Sequence, residues 1–472
     1  MKRFLWLGFV LFLYLICTGC GETFRPIIIP NPPTFPNPKA AHTVVSINDN
    51  GTVVAGSAMV VDVSGDTESS WTPVGLAPVH AVQQAANEIL VVNHSVTGAL
   101  ADSITKLNFS GTVIGNTNTI SLPPNSAPNF VATTESSQAY VLMPNYLNPA
   151  TNTVVPSVQV INTNTNSLVA TIPVGNAPVA MAETPNTQIL YVANNGDNTI
   201  SGFNTSDRSP RPLNLNGFTP FSAPLWVAAR SDSQRLFVLN GNAGNAFLTT
   251  IDTTNSVGDT VVNILDSTVI PPSAAYMLYD GNLNRLYIPG GGELTILDVS
   301  QPTPAVLTGG PIAIPTVTPS SRGTADPCVG TSTASLNTVA VAALPDGSRA
   351  YVGSYYESAI QGTQYVCPQV TVIDLSSNAI KAYFAVPGFP AYDALCSPSL
   401  PSPRVRFRLT MAAGGDSSRA YLASCDGGMV NMIDTATDTY ILNLPAPVGA
   451  RAPIPPDPQN PPQNPVFLLA GP

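Results

Sequence analysis

Three arginines alternate with apolar residues in the stretch RVRFRL, so Arg404, Arg406 and Arg408 share one side of an extended strand. Like charges at this spacing repel one another unless an anion or a carboxylate lies opposite them. Guanidinium groups bind carboxylate and phosphate oxygens through paired hydrogen bonds. The stretch therefore predicts a site for an anion or an acidic partner. Two alternatives stay open: pairing with carboxylates of the same chain, and plain exposure to solvent.

Tyrosines in two polar stretches are candidates for a contact surface. Tyr355 and Tyr356 lie in GSYYES, and Tyr146 lies in PNYLNP. Loop aromatics are common where a protein contacts a partner. We expect these three residues to contact a partner, with packing of the loops on themselves as the alternative.

Residues suited to catalysis or metal binding are sparse. The chain has three histidines, His42, His80 and His94, and a His-based site would need them to converge. The patterns G-x-S-x-G and H-E-x-x-H and the phosphate loop do not occur. We therefore expect no catalytic residue, no cofactor and no metal site.

Aspartates recur after apolar runs, as in VTVID. They are Asp252, Asp298, Asp374 and Asp434. A ring of carboxylates would suit calcium, but Asp at the end of a strand also caps the next turn through its side chain. The sequence favours turn capping.

The composition limits the classes of partner. Charged residues are 10% of the chain and the formal net charge is −10, whereas soluble domains average about 25% charged residues. Thr, Ser, Asn, Gly and Pro take the polar positions, as in short strands joined by tight turns. Without a basic surface, nucleic acid is not an expected partner.

The N-terminal residues predict export. A basic start precedes an apolar run at 4–16, which is too short to span a bilayer and has the form of a secretory signal. The run ends in CTGC, which resembles a bacterial lipobox, although Cys17 stands where Leu is usual. The resemblance implies lipidation of Cys20 and a membrane anchor in the cell envelope, at the outer membrane or on the periplasmic or extracellular side. Ordinary cleavage nearby is the alternative.

A repeated unit runs through the rest of the chain. Pro78, Pro128, Pro178 and Pro224 each follow Ala and lie 50, 50 and 46 residues apart. Each precedes the same order of short strands and turns, as in ILYVANNGDNTISGFNT and VQVINTNTNSLVATIPVG. Four strands per unit predict an all-β fold, the β-propeller, because neighbouring blades bury both apolar faces of each sheet.

The two quoted stretches resemble the YVTN family of β-propeller repeats. The resemblance covers roughly residues 42–449 and implies the fold. It implies no single activity, because members of that family differ in what they do.

The strand pattern predicts eight blades, with seven as the alternative. Seven full units are expected at 76–125, 126–175, 176–217, 218–270, 271–315, 316–388 and 389–449. Segment 42–75 has only three strands, and Pro465–Ala470 has the pattern of the missing innermost strand. We expect this C-terminal strand to join the N-terminal blade and close the ring. The chain then divides into a signal at 1–20, a Pro-rich linker at 21–41 and one propeller domain at 42–472.

Four cysteines follow the signal, and the repeat frame predicts their pairing. Cys328 precedes the first strand of one unit and Cys367 lies between its second and third strands. Cys396 and Cys425 occupy the same two places in the next unit. These two connections emerge on one face of a blade, and export favours oxidation. We therefore expect the disulfides Cys328–Cys367 and Cys396–Cys425.

Together these features predict a non-enzymatic, exported and lipid-anchored propeller. Its loop face would contact a protein, a glycan or another envelope component. Two alternatives stay open: a propeller enzyme, lactonase-like or quinoprotein-like, with a site in the channel, and a structural protein of a surface layer or of adhesion.

Overall fold

The computed structural model describes residues 43–51, 54–94, 102–133, 137–242, 245–317, 328, 335–388, 390–396, 407–447 and 462–470. Regular structure in these ranges is β-strand, apart from a short 3-10 helix at Ala394–Cys396. Eight of the sheets are blades of one ring. Their innermost strands contact one another in sequence, and the last contacts the first. The predicted eight-bladed β-propeller is thus confirmed.

Each blade runs from an innermost strand at the channel to an outermost strand at the rim. In this order, blade 1 contains β35 (Asn464–Ala470), β1 (Thr43–Asp49), β2 (Ala55–Asp62) and β3 (Thr67–Leu76), and blade 2 contains β4 (Pro78–Ala85), β5 (Glu88–Asn93), β6 (Ser103–Ser110) and β7 (Val113–Ser121). Blade 3 contains β8 (Phe130–Ala132), β9 (Gln138–Met143), β12 (Ser157–Asn162) and β13 (Ser167–Pro173), and blade 4 contains β14 (Pro178–Glu183), β15 (Ile189–Asn194) and β16 (Thr199–Asn204).

The second half of the ring follows the same order. Blade 5 contains β18 (Pro224–Ala229), β19 (Arg235–Asn242), β20 (Asn245–Asp252) and β21 (Asp259–Leu265), and blade 6 contains β22 (Leu278–Asp280), β23 (Arg285–Gly290), β24 (Glu293–Asp298) and the short β25 (Ala305–Val306) and β26 (Ile312–Ala313). Blade 7 contains β27 (Asn337–Ala343), β28 (Arg349–Ile360), β29 (Thr363–Asp374) and β30 (Ala379–Ala385), and blade 8 contains β31 (Leu409–Ala413), β32 (Arg419–Ser424), β33 (Met429–Asp434) and β34 (Thr439–Pro445).

Burial within a blade follows its position in the ring. The second strand is covered on both faces by neighbouring blades, so it is apolar at almost every position, as in the fully buried ILYVAN of β15. The outermost strand is largely exposed, as in β13. The cores are therefore apolar clusters, several of which join adjacent blades, and buried tyrosines such as Tyr191, Tyr351 and Tyr421 lie in them.

The C-terminal strand closes the ring as predicted. β35 pairs antiparallel with β1, from Val44 opposite Ala470 to Asp49 opposite Asn464. Val466 and Leu468 are buried against residues of blades 1 and 8. The first and last described strands therefore lie side by side in blade 1.

Blade 4 differs from the predicted four-stranded unit at 176–217, because its sheet has three strands. Only an isolated bridge between Phe203 and Pro210 stands in place of the fourth. The strand β17 (Leu213–Asn214) instead pairs in parallel with β21 of blade 5. Pro210 and Pro212 lack the N–H groups that a continuous ladder requires. Between them, Arg211 reaches Asp259 of blade 5 at 2.8 Å, which joins the two blades.

The ring has two different ends, which we name by their connections. The loop face carries the connections between second and third strands and those between blades. The turn face carries the tight turns between the first and second strands and between the third and fourth strands of a blade. On the turn face Asp252, Asp298, Asp374 and Asp434 each accept a backbone N–H two residues on, at 2.8–2.9 Å, so their predicted role as turn caps is confirmed.

Candidate functional site

Both predicted disulfides are present, and both lie at the loop face. Cys328 pairs with Cys367 and Cys396 pairs with Cys425. All four residues are buried. Such disulfides indicate an oxidising, exported environment. Each bond holds the connection that enters its blade against the hairpin of the same blade.

Arg408 is an internal residue and does not present its charge to solvent. Its side chain is 2% exposed and is paired with the fully buried carboxylate of Asp426. The guanidinium carbon lies 3.9 Å from the ring centroid of Tyr392, and Glu357 is 3.9 Å from its Nε. Of the alternatives that the sequence left open, pairing within the chain therefore describes Arg408. Arg404 and Arg406 lie outside the described residues.

Burial explains the electrostatics of this pair. The carboxylate of Asp426 accepts the backbone N–H of Asp393 at 2.8 Å in addition to the guanidinium. Burial nevertheless raises the pKa of Asp426, because desolvation of the charged form outweighs these favourable contacts. Removal of Arg408 would therefore leave the buried carboxylate of Asp426 without a counter-charge.

Tyr355 and Tyr356 do not form the exposed contact surface that the sequence predicted. They are 8% and 2% exposed. The Tyr356 hydroxyl donates to the carbonyl of Cys328 at 2.8 Å, and burial raises the pKa of Tyr355. The physical reason is the length of β28 and β29, twelve residues each, which carries both tyrosines inside the strand β28, where Cys328 contacts Tyr356.

Tyr146 lies at the base of a small hairpin on the loop face of blade 3. Its carbonyl accepts the N–H of Val155 at 2.8 Å, and its side chain is half-buried. The hairpin consists of β10 (Leu147–Asn148) and β11 (Thr153–Val154). Leu147 and Val154 are 46% and 59% exposed. Contact with a partner at Tyr146 stays a prediction, and its apolar neighbours strengthen it.

A cluster of rings at the channel mouth was not predicted from the sequence. Six rings from six blades form one set of contacts with centroid distances of 3.9–6.3 Å. They belong to Phe467, His80, Phe130, Trp226, Tyr276 and Phe407. All lie on or just before the first half of an innermost strand, at the loop-face end of the channel. We name this set the aromatic cluster.

The titratable members of the aromatic cluster are neutral at physiological pH. Burial lowers the pKa of His80 to about 3 and raises the pKa of Tyr276 to about 12. His80 stacks on Phe130 at 3.9 Å, and its Nδ1 accepts the N–H of Val131 at 3.4 Å. His80 is thus a packing residue whose Nδ1 carries no proton. The cluster fills the mouth with uncharged rings.

The sequence does carry a signal for the aromatic cluster. In four blades the ring stands two positions after a proline, as His80, Phe130, Trp226 and Phe467 follow Pro78, Pro128, Pro224 and Pro465. The spacing of the prolines indicates the repeat and does not by itself indicate the rings. In these four blades the ring beside the proline marks the residue of the innermost strand that joins the aromatic cluster.

The histidines do not converge within the described part of the chain. His94, just after β5, lies 3.4 Å from Asp102, just before β6, and His80 lies in the aromatic cluster. His42 is outside the described residues. Among the residues that the structure describes, no group of three His, Cys, Asp or Glu side chains could hold a metal ion. The same residues include no helix long and apolar enough to cross a membrane.

Comparison with known proteins gives the fold and no family. No protein-family model matches the chain, and no curated protein matches it. A protein of unknown function from Desulfotomaculum acetoxidans DSM 771 is 12% identical, with a TM-score of 0.50 over 74% of this chain and 98% of that one. AztD from Citrobacter koseri is 10% identical, with a TM-score of 0.51 over 90% and 96%.

A third solved structure is the dihydro-heme d1 dehydrogenase NirN in complex with DHE. It is 12% identical, with a TM-score of 0.51 over 88% of this chain and 77% of that one. The shared feature is the β-propeller. At these identities the likeness shows the fold alone, and fold does not determine activity.

Proposed function

We propose that the protein is a non-enzymatic binding scaffold of the cell envelope, exported and attached to a membrane through a lipid on Cys20. Its loop face would receive the partner, and its repeats would be of the YVTN type. The support for export is the basic and apolar N-terminal pattern together with two disulfides. The support for the anchor is the lipobox-like CTGC.

One observation carries the binding role: the two faces of the ring are built differently. On the loop face are both disulfides, the long hairpin of β28 and β29, the exposed hairpin of β10 and β11, and the aromatic cluster. The turn face has short turns capped by Asp and Asn side chains. Extra residues that are held rigid on one face of a scaffold are typical of a recognition surface.

The test is capture of a partner in the cell with matched variants on the two faces. The tagged protein is crosslinked and purified beside Leu147→Ser with Val154→Ser, and beside Val257→Ser. Val257 is 75% exposed in the turn between β20 and β21, so it controls for loss of an apolar side chain on the other face. We expect a partner captured by the parent and by V257S, and lost in the hairpin variant.

Equal capture by all three proteins would move the contact away from this hairpin, and loss in V257S alone would move it to the turn face.

Lipidation is tested separately. Metabolic labelling with an alkyne fatty acid should label the parent and not Cys20→Ser. Labelling of both proteins, or of neither, would contradict an anchor at Cys20.

A further inference from the structure

The loop face of blade 5 carries a pocket of about 290 Å³. Its floor is apolar and includes Ala246, Phe247 and Ile264. Phe247 is half-buried in β20, and Ile264 stands near the end of the adjacent β21. Small-molecule sites usually measure about 300–1,000 Å³. The pocket is therefore the size of one ring-shaped group.

The rim of the pocket is polar and uncharged apart from one carboxylate. It consists of Thr219, Asn245, Asp266 and Ser267. Within the described residues, no protein group is hydrogen-bonded to the side chains of Thr219, Asn245 and Ser267, or to Oδ2 of Asp266. Hydrogen bonds from Thr268 to Oδ1 lower the pKa of Asp266, so this carboxylate is charged at neutral pH. The rim thus offers donors and acceptors that the fold does not use.

Hydrogen bonds hold the walls of the pocket in place. Thr249 donates its hydroxyl proton to the carbonyl of Pro220 at 2.5 Å, which fixes the loop that carries Thr219. The Asp266 carbonyl accepts the N–H groups of Val269 and Ile270 at 3.1 and 3.0 Å. The carboxylate of Asp266 is fixed by the backbone N–H of Thr268 at 3.0 Å. A ligand would therefore find the Asp266 carboxylate and the backbone of both walls already placed.

We propose that this pocket binds a single sugar residue of a glycan, so the inference rests on the proposed function and names a ligand class for the loop face. A pyranose has one face of C–H groups and hydroxyls at its edge. Phe247 would lie against the C–H face, as aromatic rings do with apolar surface. Asp266 would accept hydrogen bonds from the edge hydroxyls, and the amide of Asn245 would donate to them. A hydrogen bond to a charged carboxylate is stronger than one between neutral groups.

The charge of the pocket disfavours other small ligands. The lining includes no Lys, Arg or His, so a phosphate or carboxylate ligand would meet Asp266 with no counter-charge. A small ammonium ion is the remaining competitor, since a carboxylate beside an aromatic face also attracts cations. The pocket has room for a sugar ring and four polar groups around it, which a simple cation would leave unused.

The experiment is saturation-transfer NMR on the purified full chain. The probes are methyl β-D-glucopyranoside, N-acetylglucosamine, methyl β-D-galactopyranoside and, as the competing class, tetramethylammonium. The variants are Phe247→Ala, Asp266→Asn and Asp207→Asn. Asp207 is the matched control, because it makes the same turn with Ser209 but lies on the turn face of blade 4.

We expect ring-proton saturation of at least one sugar in the parent and in D207N, and a loss of at least fivefold in F247A and D266N. Equal saturation in all four proteins, or none in any, would overturn the sugar pocket. Saturation of tetramethylammonium alone, dependent on Asp266, would overturn it in favour of a cation site. Partner capture that depends on Leu147 and Val154 while no sugar binds would refute this inference and leave the proposed function standing.

Discussion

Arg419 of blade 8 donates two hydrogen bonds of 2.9 Å to Asp66 of blade 1, across the seam at which the ring closes. The same relationship joins Arg349 of blade 7 to Asp438 of blade 8, with 3.4 Å between Nε and Oδ2. Asp66 and Asp438 stand in the turn between the third and fourth strands with φ of 50° and 54°, which Asp tolerates better than most residues. The seam is therefore joined by the contact that joins ordinary neighbouring blades.

This seam contact should contribute modestly to stability. Both side chains are 22% exposed, and partly exposed ion pairs contribute about 1 kcal/mol or less. A double-mutant cycle with Arg419→Met and Asp66→Asn, measured by urea unfolding, should give a coupling energy of about 1 kcal/mol. The cycle Arg349→Met with Asp438→Asn is the control inside the ring. A coupling of zero at the seam beside a measurable coupling in the control would show that the seam is not an ordinary interface.

The β35 strand should be required for a stable ring. Removal of residues 462–472 leaves the inner edge of β1 unpaired and exposes the apolar residues that Val466 and Leu468 cover. The milder variant Leu468→Ala should lower the free energy of unfolding by about 2–5 kcal/mol.

Rescue separates the loss of the strand from general damage. A synthetic peptide of residues 462–472, added to the truncated protein, should raise its thermal midpoint, whereas a scrambled peptide should not. A truncated protein that melts at the parent's temperature would show that β35 does not hold the ring closed.

The two disulfides should protect different parts of the ring. Asn464, the first residue of β35, donates from Nδ2 to the Cys425 carbonyl at 2.9 Å and to Sγ of Cys396 at 3.2 Å. Replacing Cys396 and Cys425 with Ser should therefore reduce the protection of the β35 amides from exchange. It should also lower the free energy of unfolding by roughly 4 kcal/mol, because the unfolded chain gains loop entropy.

Cys328→Ser with Cys367→Ser is the matched control, because its loop has similar length and contacts no part of β35 in the described residues. Hydrogen exchange followed by mass spectrometry measures the β35 protection in both double variants. Equal loss of β35 protection in the two double variants would contradict a specific link between Cys396–Cys425 and the closing strand.

Arg408→Met should destabilise the protein strongly at neutral pH and less in acid. Breaking a buried ion pair by removing one partner costs about 3–5 kcal/mol, because a charge is left without compensation. The folded-state pKa of Asp426 is already raised by burial and would rise further in this variant. The native state then binds a proton before the unfolded state does, so the deficit shrinks as the pH falls below that raised pKa.

The measurement is urea unfolding of parent and variant at pH 7 and pH 5. Arg408→Met with Asp426→Asn is the control, because it removes both charges and should recover stability and lose the pH dependence. A deficit that is constant from pH 7 to pH 5 would contradict a buried, charged Asp426.

His80→Phe should make the protein less sensitive to acid. The folded-state pKa of His80 is about 3, below its usual value of 6.5, so only the unfolded state gains a proton as the pH falls through that interval. From pH 7 to pH 5 this single group should lower the free energy of unfolding by about 2 kcal/mol. The variant keeps an aromatic ring against Phe130. Its free energy of unfolding should therefore fall by about 2 kcal/mol less than that of the parent between pH 7 and pH 5. An identical pH dependence in both proteins would show that His80 titrates normally.

Periodic features could be predicted from the sequence because they repeat. The eight blades, the strand contributed by Pro465–Ala470 and the pairing of the four cysteines all follow from strand order within one unit. The prediction of a fourth strand in blade 4 was wrong for a local reason, because two prolines interrupt the ladder of hydrogen bonds there. Lipidation at Cys20 and the envelope location stay predictions.

Burial of single side chains could not be read from the same pattern. RVRFRL and GSYYES look exposed because they are polar and lie in connections. Arg408 is nevertheless buried against Asp426 and Tyr392, and the buried Tyr356 donates a hydrogen bond to the carbonyl of Cys328. These contacts depend on how inserted loops fold over a blade, which strand periodicity does not describe. The aromatic cluster was not predicted because its members look like ordinary core residues in the sequence. They come from six different blades and meet only when the propeller closes.

Pairing β35 with β1 also has a mechanical consequence. A pull exerted on the chain before Thr43 is delivered to β1, which is bonded along one edge to β2 and along the other to β35. The load is thus shared by two ladders, and β1 cannot be peeled away one residue at a time like a free edge strand. A tether attached at this end would draw on the whole of blade 1, and through the Arg419 contact on blade 8, before any strand came loose.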